Sequence, residues 1–301
     1  MNTQTKMKAT IFLLILLQVF GHVNGQEYLK TFNQFNEKYN YDWYGIETKD
    51  ATGKVKQRFL DYCKANDLLR EERMAFTRYP NYGHIENSVK IVDLNGDGYD
   101  DFIYAGPTMG EKEIVKFLLS TGDKKFVESF VIYQGVVLVE WDDQRRISKI
   151  LTHDWGCCAE IIHTNNVFSV SYNSQNKPTF TKTYQSIETT LITRPLTYFE
   201  DPIDFISTED DSELRFAPIK DDSTYYSSSF NSRRKGNVIS FLRKGTAGKL
   251  YGSATDDAGM VWYYVEIADP SNLNQCIIDL SVFKFPTYVV GWISSNQVFL
   301  L

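Results

Sequence analysis

Apolar residues recur at helical intervals in two early stretches and at strand intervals over most of the remaining chain. Between Gln26 and Tyr41 the residues Leu29, Phe32, Phe35 and Tyr39 share one helical side. Behind Asp50 as an N-cap, a second helical pattern runs from about Ala51 to Met74. It places Phe59, Leu60, Leu68 and Leu69 on one side, with Val55, Phe59 and Cys63 as a stripe. After "TRYPNYGH" the period changes to two. Ser88 to Val92, Phe102 to Ala105, Ile114 to Ser120, Lys125 to Tyr133, Val136 to Trp141 and Arg146 to His153 read as short strands. "STGDKKF" and "WDDQRR" are hairpin links among them. Glu160 to His163, Val167 to Tyr172 and Thr179 to Tyr184 continue the series. The pattern predicts an α+β N-terminal domain over residues 26–200, two helices followed by an antiparallel meander.

The first residues stand outside that domain. Lys6 and Lys8 precede the apolar run Ile11 to Leu17, and small residues follow at Val23 and Gly25, which predicts a signal peptide over residues 1–25. The run is shorter than the roughly 20 residues a membrane-spanning helix needs, so the expectation is an exported chain, periplasmic or extracellular, and not membrane-spanning. Residues 201–213, within "LTYFEDPIDFISTEDDSE", are acidic and lack a clean period, and are expected as a linker. The 301 residues carry a formal charge of −6, which argues against nucleic acid as a partner because phosphate binding needs clustered cations.

From Leu214 to Leu301 short strands alternate with glycine turns, Gly245, Gly248 and Gly252 among them. "LRFAPIKDDS", "VISFLRKGTAGKLYGS", "MVWYYVEI" and "GWISSNQV" resemble, in order, the segments of a bacterial SH3 domain. The loop "TYYSSSFNSRRKGN" and an insert from about Ala268 to Pro286 depart from that pattern. The resemblance implies an all-β SH3-like barrel over residues 214–301 that contacts peptidoglycan peptide or another extended ligand of the cell envelope. Tyr225, Tyr226, Trp262, Tyr264 and Trp292 are its aromatic binding candidates, with the barrel core as the alternative place for Trp292.

The densest polar stretch is "VDLNGDGYDDF". Asp93, Asn95 and Asp97 hold positions 1, 3 and 5, Gly98 position 6 and Asp101 position 9, a spacing of hard oxygen donors that can wrap Ca²⁺, with the Tyr99 carbonyl at position 7. Tyr104 stands where an EF-hand needs glutamate, so no EF-hand is expected. "VDLNGDGYDDFIYAG" instead resembles the calcium loop of FG-GAP and VCBS repeats, in a single copy. The resemblance makes Asp93, Asn95, Asp97 and Asp101 the side-chain ligands of a structural calcium ion. A solvated Asp/Gly hairpin without an ion is the alternative.

"THDWGCCAEIIH" is the other unusual stretch. His153, Cys157, Cys158 and His163 lack the spacing of common zinc sites, and strand-end cysteines, buried or bridged, are expected. Cys63, Cys157, Cys158 and Cys276 allow three disulfide pairings, which the sequence leaves open. A cysteine nucleophile at Cys157 or Cys158 with His84, His153 or His163 lacks a peptidase signature around it. Asp154 beside Trp155 and Glu160 is the most site-like carboxylate cluster for a glycan hydrolase. The positively charged Arg233 to Lys235, near Tyr225, Tyr226 and Phe230, is either a contact loop or a solvated one.

Together these readings favour a non-enzymatic binding protein of the bacterial cell envelope with one structural Ca²⁺. A cell-wall or glycan hydrolase with its carboxylates near Asp154 and Glu160 is the alternative, and a partner or inhibitor of another secreted protein is the third.

Overall fold

A computed structural model describes Tyr28, Leu29, Thr31, Phe32 and residues 53–109, 113–123, 125–154, 162–227, 233–274, 276 and 286–301. The expected signal peptide lies outside the described residues. The chain forms two compact units. An inserted unit comprises Asn40–Thr190 and Ser227–Ser232, and a terminal unit comprises Met1–Tyr39, Leu191–Tyr226 and Arg233–Leu301.

In the inserted unit the single helical pattern becomes two helices, α1 (Gly53–Ala65) and α2 (Arg70–Arg78). The break falls where Asp67 and Leu69 take left-handed φ values of 55° and 52°. The Leu68 amide closes the end of α1 on the Cys63 carbonyl at 2.8 Å. Strands β1 (Val89–Val92), β2 (Asp101–Pro107), β3 (Glu113–Ser120) and β4 (Phe126–Ile132) then form an antiparallel sheet in sequence order. Phe102, Tyr104, Ile114 and Leu118 face α1 and pack on Phe59, Leu60 and Cys63. Phe59 stacks on Phe102 with ring centroids 3.8 Å apart. Ile103, Val115, Phe117 and Leu119 point the other way, onto Val139, Ile147 and Ile150. Both faces of this sheet are therefore covered, which explains the nearly continuous apolar run in β3.

Val139, Ile147 and Ile150 belong to a second antiparallel run, β5 (Gly135–Trp141), β6 (Ile147–Asp154), β7 (Ile162–Tyr172) and β8 (Pro178–Thr189).

The terminal unit has strands β9 (Tyr198–Ser207), β10 (Ser212–Arg215), β11 (Tyr225–Ser227), β12 (Arg233–Lys235), β13 (Val238–Leu242), β14 (Ala247–Thr255), β15 (Val261–Ile267), β16 (Leu273–Asn274), β17 (Tyr288–Ser294) and β18 (Val298–Leu300). Tyr28, Leu29, Thr31 and Phe32 are helical and cluster with this unit, so the first expected helix does not belong with the meander.

The expected α+β domain followed by an SH3-like barrel is not what forms. The described residues are mostly β, with 51% of them in strands and 17% in helix. In the terminal unit the reason lies in residues 198–207. Expected in large part as linker, they form β9, which pairs with both β14 and β18. Ile203 stands opposite Leu250, and Ile206 opposite both Ala247 and Phe299. The sheet thus runs β18-β9-β14-β15-β17 rather than closing as a small barrel. Gly248 and Gly252, expected in turns, lie inside β14. A Cβ at Gly248 would stand 2.6 Å from both the Glu266 carbonyl oxygen and the Phe205 ring, so glycine there admits a close approach.

Candidate functional site

The acidic turn joins β1 to β2. Gly96 and Gly98 take φ values of 71° and 86°, the left-handed region glycine enters without strain. Their conformations fold the chain so that its amides point at its own carboxylates. Asp93 accepts N–H bonds from Gly96, Asp97 and Gly98 at 2.8, 3.1 and 2.9 Å. Asp97 accepts from the Tyr99 amide at 2.9 Å, and its other oxygen accepts from the Asn95 amide side chain at 2.9 Å. Tyr99 lies half exposed over Gly122, where a Cβ would come within 3.2 Å of its ring.

Asp101 behaves differently from its neighbours. It is fully buried, and its two oxygens accept the Leu94 amide at 2.8 Å and the Ser120 amide at 2.7 Å. The carboxylate therefore fixes the start of the turn and the far end of β3 at once. Burial pushes its pKa up to about 7; the two amides oppose that rise, and the Asp97 and Asp93 charges add to it. In donor type the set Asp93, Asn95, Asp97, the Tyr99 carbonyl and Asp101 fits a hard cation such as Ca²⁺. Each carboxylate oxygen also has more than one lone pair, so a single N–H does not exhaust it. The arrangement is nonetheless closed by its own amides, and no three acidic, imidazole or thiol groups among the described residues stand grouped to hold a metal ion.

The five aromatic candidates of the terminal unit do not share one surface. Trp262, Tyr264 and Trp292 are buried. Trp292 donates its indole N–H to the Thr193 carbonyl at 2.6 Å, and Trp262 donates to Asp256 Oδ2 at 2.9 Å. Tyr264 packs tilted on Trp292 with centroids 5.3 Å apart. These three are core. Tyr226 packs edge-on against Phe216 and donates its hydroxyl to Asp221 Oδ2 at 2.7 Å, and Tyr225 is the most exposed of the set. Arg215, the arginine of "LRFAPIKDDS", is fully buried and ion-paired with Glu213 and Asp222. It also donates to Asn237 Oδ1 and to the Asp221 carbonyl, so it braces the loop before β11 instead of meeting a ligand. Lys235 is exposed. Ser232 and the side chains of Arg233 and Arg234 lie outside the described residues.

The stretch "THDWGCCAEIIH" splits across β6 and β7. Trp155, Cys157, Cys158 and Glu160 lie outside the described residues, and the cysteine-nucleophile and Asp154–Glu160 readings fall largely there. Cys63 is a buried thiol under α1, and burial pushes its pKa up to about 12, so it is inert as a nucleophile at neutral pH.

The two histidines, however, are brought together. The register sets His153 opposite Asn165, Asn165 opposite Ser186, and His163 opposite Glu188. Because side chains alternate along a strand, His153, His163, Asn165, Ser186 and Glu188 share one face. The rings of His153 and His163 meet edge to face, 4.9 Å between centroids. Asn165 donates its amide N–H to Ser186 Oγ at 3.3 Å, which turns Oδ1 toward His153 Nδ1. In that orientation Nδ1 is the donor to Asn165 Oδ1. On the opposite face, Thr152 and Asn166 donate to Gln134 Oε1 at 2.6 and 2.7 Å, and Gln185 donates to Asn166 Oδ1 at 2.9 Å. Asp154, two residues on from Thr152, lies on that amide face, away from the histidines.

Sequence reading singled out His153 and His163 but missed Asn165, Ser186 and Glu188. The available signal was the pairing of polar residues two apart, His163 with Asn165 and Ser186 with Glu188, in strands otherwise rich in apolar residues. No family model, curated protein or solved structure matches this chain. Among the described residues no helix is long and apolar enough to cross a membrane.

Proposed function

We propose that this chain is an exported, non-catalytic binding protein of the cell envelope that takes an extended, carboxylate-bearing ligand such as the stem peptides of peptidoglycan. One observation carries the reading. The described side chains best equipped for proton transfer are sealed in a sheet face, with Glu188, Asn165 and Ser186 at 0% exposure and His153 at 2%. A general acid or base must come within hydrogen-bond reach of its substrate, and groups at that depth serve packing and register instead. The hydrolase alternative gains no support from Asp154, which faces away from them.

Calcium enters this reading as a structural ion at the β1–β2 turn. Asp93, Asn95, Asp97, the Tyr99 carbonyl and Asp101 would hold it, and its charge would offset the crowding of four carboxylates, Asp100 included, in nine residues.

Sedimentation of the full chain with purified peptidoglycan sacculi, with the supernatant assayed for released fragments, tests the proposal. The expected result is co-sedimentation with no release of soluble muropeptides or peptides. Protein that stays wholly in the supernatant ends the binding reading. Fragment release that disappears in Glu188→Gln replaces it with an enzymatic one.

A further inference from the structure

The chain as a whole is acidic, yet one groove of the inserted unit reverses that sign. It is an open groove of about 680 Å³ along α2, lined by Lys64, Arg70, Arg73, Met74, Arg78 and Met109, with Asp67 and Thr77 also in its lining. The volume falls within the roughly 300–1,000 Å³ of ordinary ligand sites. Four cations stand there against one carboxylate, on a chain of net charge −6.

The helix pattern explains the segregation. Arg70, Arg73, Met74, Thr77 and Arg78 follow i, i+3, i+4, i+7 and i+8 and so occupy one face. The acidic residues of α2 are not part of it: Glu72 is buried on Lys116 at 2.7 Å, and Glu71 does not line the groove. Asp67 pairs with two of the cations but, as one carboxylate, offsets only part of the charge of four. Its contacts with Arg70 and Arg73 are long, 3.6 and 3.8 Å, and Asp67 and Arg70 are each 68% exposed. Between the cations the surface is apolar, because Met74 is half exposed and Met109 is half-buried. Methionine offers a soft, adaptable surface that accepts varied apolar side chains.

We infer that this groove docks a short acidic peptide, with its carboxylates on Arg70, Arg73, Arg78 and Lys64 and one apolar side chain between Met74 and Met109. Arginine suits the carboxylate because its planar fork can pair both oxygens. The stripe from Arg70 to Arg78 rises about 12 Å at 1.5 Å per residue, the span of about four residues of extended peptide. Nucleic acid fits less well. The lining offers methionine rather than aromatic rings on which bases stack.

The inference rests on the binding reading above but is separable from it by experiment. A fluorescent five-residue peptide with a central leucine flanked by aspartates and glutamates is titrated against the full chain by polarisation. A lysine-for-acid version and a single-stranded oligonucleotide serve as competitors. The acidic peptide is expected to bind at least ~10-fold more tightly than its lysine counterpart, and to weaken as salt rises from 0.05 to 0.5 M because exposed charges are screened. Arg70→Glu with Arg78→Glu is expected to reduce affinity by about tenfold or more, and Met74→Ala by roughly threefold. Should that double variant not fold, Lys64→Glu alone, on an exposed helix end, is expected to weaken binding about threefold with an unchanged melting temperature.

Equal binding of the acidic and basic peptides, affinity indifferent to the charge reversals, or displacement by the oligonucleotide ahead of free acidic peptide overturns the inference. Peptide discrimination retained without sedimentation on sacculi leaves the groove standing and removes the cell-envelope ligand. Sedimentation without peptide discrimination does the reverse.

Discussion

Two polar regions of the inserted unit satisfy their groups in opposite ways. At the β1–β2 turn, Asp93 and Asp97 are served by amides and an amide side chain within five residues, while solvent reaches much of the loop. On the β6–β8 face, His153, Asn165 and Ser186 come from three strands and hydrogen-bond across the sheet. The first arrangement is local and tolerant, since water can replace a lost partner. The second is non-local, and a lost partner there leaves a desolvated group behind. Asp101 belongs to the turn by sequence and to the second kind by environment, because it is buried and joins the turn to β3.

The sharpest break of this comparison is Asp101→Ala. It leaves the Leu94 and Ser120 amides without an acceptor, and a cost of about 3 kcal/mol is expected in urea unfolding. Asn165→Ala removes the partner of both His153 and Ser186 and is expected to cost about 2 kcal/mol in the same measurement. If either variant costs less than Asp97→Ala, the distinction between buried and solvent-served polar groups fails here.

Acidity sharpens the same point. Asp101 titrates near 7 when folded, against an ordinary 3.8, so between those values the folded chain holds a proton that the unfolded chain has released. Its contribution to stability is complete below about pH 4 and is lost as pH rises through 7. The melting temperature of the wild type relative to Asp101→Asn, in calcium-free buffer, is expected to fall across that interval. A difference that is flat, or that rises, would place Asp101 with the ordinary carboxylates of the turn.

The smallest effect concerns the ion. With a dissociation constant near 1 mM, as in extracellular calcium modules, ~10 mM Ca²⁺ is expected to add about 1.4 kcal/mol, seen as a rise in melting temperature over EDTA. Asp97→Ala is expected to abolish that rise while costing under ~1 kcal/mol in EDTA, because its partners in the turn are open to solvent. No calcium-dependent shift in the wild type removes the ion from the turn.

The parts of this fold that were legible in the sequence were those decided within a few residues. The short apolar runs of β2 and β3, the alternation of β5 and the Asp93–Gly98 turn follow from neighbouring residues and from glycines at positive φ. The break between α1 and α2 was not legible, because it depends on Leu69 entering the core from a left-handed residue. Nor was β9: "YFEDPIDFIS" reads as an acidic linker until β14 and β18 supply hydrogen-bond partners on both sides. Trp262, Tyr264 and Trp292 read equally well as a binding platform or as core, since an aromatic ring serves either. Only the sheet around them settled the matter, by burying all three.

By itself, then, the sequence determined where this chain turns, where it alternates, and that it carries a carboxylate-rich loop of cation-binding spacing. Tertiary structure alone decided which polar residues share a face. His163 stands opposite Glu188, and Asp154 lies on the other face from His153, through registers set by pairing between neighbouring strands. It likewise gathered Lys64, Arg70, Arg73 and Arg78 around one groove of an acidic protein. The physical reason is common to all of these. A turn is fixed by the dihedral preferences of its own residues, whereas burial and charge density depend on chain that arrives from elsewhere.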